Sequence, residues 1–234
     1  MRIDRLVGRL CGIGRREVRA IMARGVVEVN GVVVLNGRAE VGEFDRVVLR
    51  GETLQDRRAI YVMLNKPAGY VSATVDDEHP TVIELIGDAF GGEELHMAGR
   101  LDRASTGLLL LTNDGDWSRR LTLPQEGHAK VYLVETAEPI SGETAEAFAR
   151  GIYFGYEDIT TGPAELQRVG ERRARLTIYE GKYHQVKSMF HAVGTRVVSL
   201  HRERVAHIVL DPQLAEGEWR ELSEEELAGG MPTT

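Results

Sequence analysis

"GRLDRASTGLLLLTNDG", residues 99–115, decides how the larger part of this chain is read. Four consecutive leucines, 108–111, read as a strand buried in a core. Asp102 lies just ahead of them between Arg100 and Arg103, which sets a charged cluster at the lip of that strand. Two readings fit the cluster. One is a surface ion pair in a loop, worth ~0–1 kcal/mol. The other is a catalytic acid held by arginines at the rim of a rigid core, where sites are built.

Around this stretch, strands and helices mix. "IYVMLNKP" (60–67) reads as a strand, "DWSRRLTL" (116–123) as a helix and "KVYLVET" (130–136) as a strand. "SGETAEAFARG" (141–151) reads as a helix with a serine cap and a glycine stop. "RARLTIYEG" (173–181) is a strand feeding the helix "KYHQVKSMFHAVG" (182–194), where Tyr183, Val186, Met189, Phe190 and Val193 share a face. "VVSLHRERVAHIVLD" (197–211) supplies two more strands, with His201 and His207 read as surface residues, and "SEEELAG" (223–229) a last short helix. Without strict βαβ alternation, the fold class is α+β, with a mixed, largely antiparallel sheet and flanking helices.

The first fifty residues form a different pattern. Ile3, Leu6, Val7 and Leu10 recur at helical spacing, and Cys11 follows them as a packing residue. Gly12 and Gly14 interrupt. A second helix then turns Val18, Ile21 and Met22 inward and Arg15, Arg16 and Arg19 outward. "VVEVNGVVVL" (26–35) reads as two strands joined at Asn30-Gly31, and "DRVVLRG" (45–51) as one more. This gives an αα-ββ domain over 1–54. The polar stretch "GETLQDRRA" (51–59) has no apolar period, so 55–59 is placed as a linker and 60–234 as the second domain.

Composition narrows the classes. The net charge of −7 conceals an asymmetry: residues 1–24 carry seven arginines against two acids, and residues 211–234 seven acids against one arginine. A basic end of this kind permits RNA or DNA binding. No apolar run approaches the ~20 residues of a membrane span, and the N-terminus lacks a signal-peptide core. The single cysteine excludes an internal disulfide and fits a reducing cytoplasm. There is no phosphate-binding GxxxxGK loop, no dinucleotide fingerprint, no metal-ligand spacing and no nucleophile elbow. Without a heptad or a long exposed apolar stripe, a monomer is expected.

Three further stretches carry chemistry. "NKPAGYVSA" (65–73) turns at Pro67 and Gly69, with Lys66 at the entrance. "HAKVYLVE" (128–135) sets Lys130, Tyr132 and Val134 on one strand face. "EGKYHQVKSMF" (180–190) places His184 and Lys187 three apart on a helix. Each also has a plain reading: a strand corner, a half-buried aromatic, a solvated face. The chain has 25 arginines and four lysines, and those four (66, 130, 182, 187) all fall in these stretches. A lysine then marks a place where a compact ammonium suits better than a planar fork.

Taken in order, "NKPAGYVSA", "GRLDRASTGLLLLTNDG", "KVYLVE" and "EGKYHQVKSMF" resemble the pseudouridine synthases that modify bacterial ribosomal RNA. The first fifty-odd residues resemble the small ribosomal-protein-like RNA-binding domain that often precedes this catalytic domain. "DDEHPTVIELI" (76–86), "EDITTGPAEL" (157–166) and "LHRERVAHIVLD" (200–211) resemble the branch acting on small-subunit (16S) RNA. The resemblance implies that Asp102 is the essential aspartate, Tyr132 the active-site tyrosine and Lys187 the cation that pairs with Asp102. It implies base flipping by Arg100 and substrate positioning by Lys66, His184 and Gln185.

Arg2, Arg5, Arg15, Arg16 and Arg19 are expected to bind RNA phosphates. The implied partner is 16S rRNA or a small-subunit assembly intermediate. No cofactor or metal is implied, because the isomerisation involves no redox step or phosphate transfer. The expected location is the cytoplasm. Two alternatives remain: a uridine of large-subunit rRNA, or a ribosome-assembly protein whose site is vestigial. Two positions depart from the family pattern. Gly14 stands where a serine often caps the second helix, and Ser188 where a basic residue is frequent.

Overall fold

The computed structural model describes residues 1–123, 126–155 and 157–229. It divides into two compact units, Met1–Ala59 and Ile60–Thr234. The final five residues of the 60–234 segment lie outside the described residues.

The first unit contains helices α1 (Ile3–Cys11) and α2 (Arg15–Ala23) and strands β1 (Val27–Val29), β2 (Val32–Val33), β3 (Val47–Leu49) and β4 (Glu52–Gln55). Its sheet runs β2-β1-β3-β4. Ile3, Leu6, Val7, Val18, Ile21 and Met22 close over Val27, Val41 and Val47. Leu10, expected inward, is 46% exposed. The buried face of α1 instead follows i+4 spacing from Ile3 through Val7 to Cys11, which is partly buried against the core. Asn30 and Gly31 both take positive φ, +50° and +79°, as the tight turn between two twisted strands demands.

The polar stretch 51–59 contains a strand that reaches the first residue of the assigned linker, because β4 pairs antiparallel with β3 at the sheet edge. Glu52 and Thr53 face solvent there, so an edge position removes the apolar alternation a sequence reading relies on. Gln55 ties the strand down by donating to the carbonyls of Gly42 (2.9 Å) and Asp45 (2.8 Å).

The second unit contains β5 (Tyr61–Lys66), α3 (Val82–Ile86), β6 (His96–Met97), β7 (Thr106–Thr112), α4 (Gly115–Thr122) and β8 (Lys130–Thr136). These are followed by α5 (Thr144–Arg150), β9 (Tyr153–Phe154), β10 (Ile159–Thr160), β11 (Glu165–Arg168) and β12 (Arg173–Ile178). The chain then forms α6 (Gln185–Ala192), β13 (Val197–Val205), β14 (Ile208–Val209), β15 (Trp219–Glu221) and α7 (Glu224–Ala228). The main sheet runs β11-β12-β8-β13-β7-β5-β15, with β14 on β13 and β6 on β7. Its one parallel pair, β13 with β7, aligns His201 with Thr106 and Arg202 with Gly107. The remaining pairs are antiparallel.

The leucine run is apolar throughout because β7 is buried on both faces. Leu109 and Leu111 join Val62, Leu64, Val134 and Phe190 in one core. Leu108 and Leu110 join Met63, Trp117 and Ile208 in another. All four leucines have no exposed surface. The helix at 144–150 is capped by Glu143; Ser141, expected as the cap, lies two residues earlier and accepts from the Glu143 N–H (3.2 Å). His201 and His207, expected at the surface, are partly buried and bonded. His201 Nδ1 meets Thr106 Oγ1 at 2.8 Å, and His207 Nε2 meets the Glu226 carbonyl at 2.6 Å.

Candidate active site

The loop 100–105 between β6 and β7 is fastened from two sides. Ser72 Oγ donates to the Leu101 carbonyl (2.8 Å) and accepts from the Leu101 N–H (3.1 Å). The Gly69 N–H donates to the Arg103 carbonyl (2.8 Å). Lys66 is fully buried and donates to the carbonyls of Pro67 (2.9 Å), Arg103 (3.2 Å) and Ser105 (2.8 Å). "NKPAGYVSA" is therefore the brace that gives the Asp102 loop one shape. Burial pushes the Lys66 ammonium down to about 8, opposed by nearby Asp102.

Lys66, expected to position substrate, spends its three N–H donors on backbone oxygens. That geometry braces the loop. Lys66→Met should leave those carbonyls unpaired and lower unfolding free energy by about 3 kcal/mol. Urea unfolding at neutral pH checks this; a change below ~0.5 kcal/mol would refute the bracing role.

Across the cleft, α6 carries Lys187, whose Nζ lies 2.8 Å from Asp102 Oδ2. His184 Nε2 lies 3.5 Å from the other carboxylate oxygen, Oδ1. His184 is not on the helix, as its spacing to Lys187 implied, but caps it in the left-handed region at φ +48°. That turn also lifts Tyr183 off the apolar helix face assigned to it. Tyr183 is 81% exposed and stacks on His184 with ring centres 3.9 Å apart. Gln185 is buried, and its amide donates to Glu180 (2.6 Å) while its oxygen accepts from the Lys182 N–H (3.0 Å). It fixes the 180–185 turn rather than offering free groups to a ligand.

Asp102, Tyr132, Lys187, Arg100, His184 and Gln185 all line one cleft of about 630 Å³. Tyr132 is 7% exposed on its strand, and Arg100 is exposed at the cleft's lip. The five N-terminal arginines belong to the other unit. Arg5, Arg15, Arg16 and Arg19 are exposed there, while Arg2 caps α1 and is paired with Asp4. Gly14 caps α2 with no side-chain bond.

Residues 60–192, which include this whole constellation except the far wall on β13, match the family described as RNA pseudouridylate synthase. The chain belongs to that family. The ribosomal small subunit pseudouridine synthase A of Pseudomonas aeruginosa is 50% identical over 228 residues, 97% of this chain and 99% of the relative. The protein of the same name from Escherichia coli (strain K12) is 44% identical over 233 residues, 97% of this chain and 99% of the relative. The crystal structure of a pseudouridylate synthase superposes with a TM-score of 0.70 at 38% identity, covering 97% of this chain and 98% of that one.

The cleft of this pseudouridylate synthase has a wall that sequence reading missed. Arg202 of β13 is 2% exposed and stands opposite Tyr132 in the sheet register. Its Nε donates to the Leu108 carbonyl (2.8 Å) and its Nη1 to the Arg100 carbonyl (3.1 Å), while Nη2 is buried without a partner. One signal was available: strand alternation puts Arg202 on the face of buried Leu200. Lys130, noted as a strand-face lysine, also lines the cleft. Burial, then the Arg202 charge, holds its ammonium below the usual lysine value, with Glu180 opposing.

Proposed function

We propose that the chain isomerises a uridine of small-subunit (16S) ribosomal RNA to pseudouridine, as a cytoplasmic monomer acting on the RNA or on an assembly intermediate. The observation that carries this reading is the Asp102 carboxylate, bonded to Lys187 at 2.8 Å in a cleft that also contains Tyr132. The names of the relatives support the small-subunit substrate.

The reaction cleaves the bond between uracil N1 and ribose C1′, turns the base and rejoins it through C5, with loss of the C5 proton. The target nucleotide must first leave its stack, at ~a few kcal/mol, offset by pocket contacts. Arg100 at the cleft's lip fills the vacated place, and the Tyr132 ring holds the detached base. Lys187 and His184 fix both oxygens of Asp102, so the carboxylate meets the nucleotide in one orientation. The leucine and valine walls exclude water, which would otherwise hydrolyse the opened sugar.

Incubating the protein with 16S rRNA, 23S rRNA and partly assembled small-subunit particles, then mapping pseudouridine, tests the reading. A new pseudouridine confined to small-subunit RNA is expected; one confined to 23S rRNA would contradict the substrate. On the exposed face of α2, Arg15→Glu with Arg16→Glu should weaken RNA binding. It should also reduce the slope of log affinity against log salt by roughly 1.5 to 2. An unchanged slope would remove those arginines from the RNA interface.

A further inference from the structure

Two cations on the floor of the cleft, Lys130 and Arg202, form no ion pair among the described residues. The cleft contains two carboxylates, Asp102 and Glu180. Asp102 is engaged by Lys187 and His184. Glu180 is engaged by Lys182, the Gln185 amide and the Gly162 N–H. Among the described residues, neither Lys130 nor Arg202 has a carboxylate within salt-bridge distance. They occupy adjacent strands on the face of Tyr132, with Arg202 in register with Tyr132 and Lys130 with Val205. Arg202 is anchored to two carbonyls and retains a buried, unpartnered Nη2. Lys130 is partly buried, and its Nζ makes no hydrogen bond among the described residues.

Unpaired positive charge in a dry site has a high free energy unless the reaction supplies the missing anion. The proposed isomerisation does so. When the N1–C1′ bond breaks, its electron pair leaves with the base, and the negative charge spreads from N1 onto the uracil carbonyl oxygens. If Asp102 adds to the base first, the same oxygens receive the charge. Resting on the proposed function, we infer that Lys130, backed by the Arg202 guanidinium, is an electrostatic catalyst that binds the charge developing on a uracil carbonyl oxygen. No proton is transferred; the ammonium keeps its three hydrogens while base and sugar separate and rejoin. A phosphate contact fits these residues less well, since they lie with the buried tyrosine, whereas Arg100 and Arg103 are exposed.

The test uses the full-length protein and two versions of one small-subunit RNA, carrying uridine or 5-fluorouridine at the target. Lys130→Met preserves the length of the side chain and removes its charge; Lys130→Arg preserves charge. Single-turnover consumption of the uridine RNA should fall on the order of 10²- to 10³-fold in Lys130→Met, with RNA affinity within about threefold of wild type. Lys130→Arg should recover most of the loss. Fluorine draws charge from the ring, so the leaving base needs less help, and the Lys130→Met deficit should shrink by roughly tenfold or more on the fluorinated RNA. A Lys130→Met rate within about threefold of wild type would overturn the inference. So would a deficit that appears as lost affinity and is equal for both RNAs, which would mark a phosphate contact. Wild-type protein inactive on every ribosomal RNA would instead overturn the proposed function itself.

Discussion

Asp102→Asn is expected to lower single-turnover pseudouridine formation on the order of 10⁴-fold while RNA affinity stays within about threefold. The amide matches the carboxylate in size, and the loop around it is held by contacts that do not use this side chain: Ser72 to Leu101, Gly69 to Arg103 and Lys66 to Ser105. The fold should therefore survive. The lost property is an anionic oxygen able to attack the nucleotide or take its proton. Lys187 and His184 would then face a neutral group, so the cleft keeps its shape but loses the reacting atom. Quench-flow with pseudouridine detection measures the rate, and filter binding the affinity. Activity within tenfold of wild type would move the chemistry to another residue. A small-subunit assembly defect rescued by Asp102→Asn, with no pseudouridine missing, would favour the vestigial-site alternative.

Gly107→Ala should be a severely damaging change to stability for so small a substitution. Gly107 has φ +98°, and a Cβ there would lie 2.4 Å from the Arg202 carbonyl oxygen and 2.7 Å from its nitrogen. Both obstacles are backbone atoms of the paired strand, so no side-chain rotation relieves them. The parallel pair must separate, which also pulls Arg202 from the carbonyls of Leu108 and Arg100. We expect a loss of about 4 kcal/mol or more, or roughly 8–16 °C in Tm for a unit of this size. Surviving folded protein should also have reduced activity. Gly115→Ala is the control: a Cβ there meets nothing within 4 Å, and stability should change by less than ~0.5 kcal/mol. A Gly107→Ala melting point within about 2 °C of wild type would mean that the strand pair tolerates separation.

These two residues show what a linear reading reaches. Asp102 was legible because a charged residue beside a fully apolar strand is a local contradiction, and Leu108–Leu111 could satisfy it only as a strand with two buried faces. The Asn30-Gly31 turn was legible because both residue types tolerate positive φ. Lys66 was placed, but its bracing contacts were not, since its partners Arg103 and Ser105 are 37 and 39 residues away and are backbone atoms, which leave no trace in side-chain chemistry. His184 looked helical because spacing does not reveal a left-handed cap. Arg202 was hidden for the opposite reason: a lone arginine in "LHRERV" matches a solvated strand edge, and only the position of β13 between β7 and β8 buries it. β4 escaped because an edge strand needs no hydrophobic period.

Everything proposed for this chain depends on an extruded uridine reaching a carboxylate that Lys187 and His184 hold still. The structure of the Asp102→Asn protein bound to a small-subunit RNA fragment tests that most directly. The target uridine should stand outside its helix, its uracil against Tyr132 and its nucleoside within roughly 3–3.5 Å of the residue 102 side chain. RNA bound with all of its bases stacked and the cleft empty would contradict it.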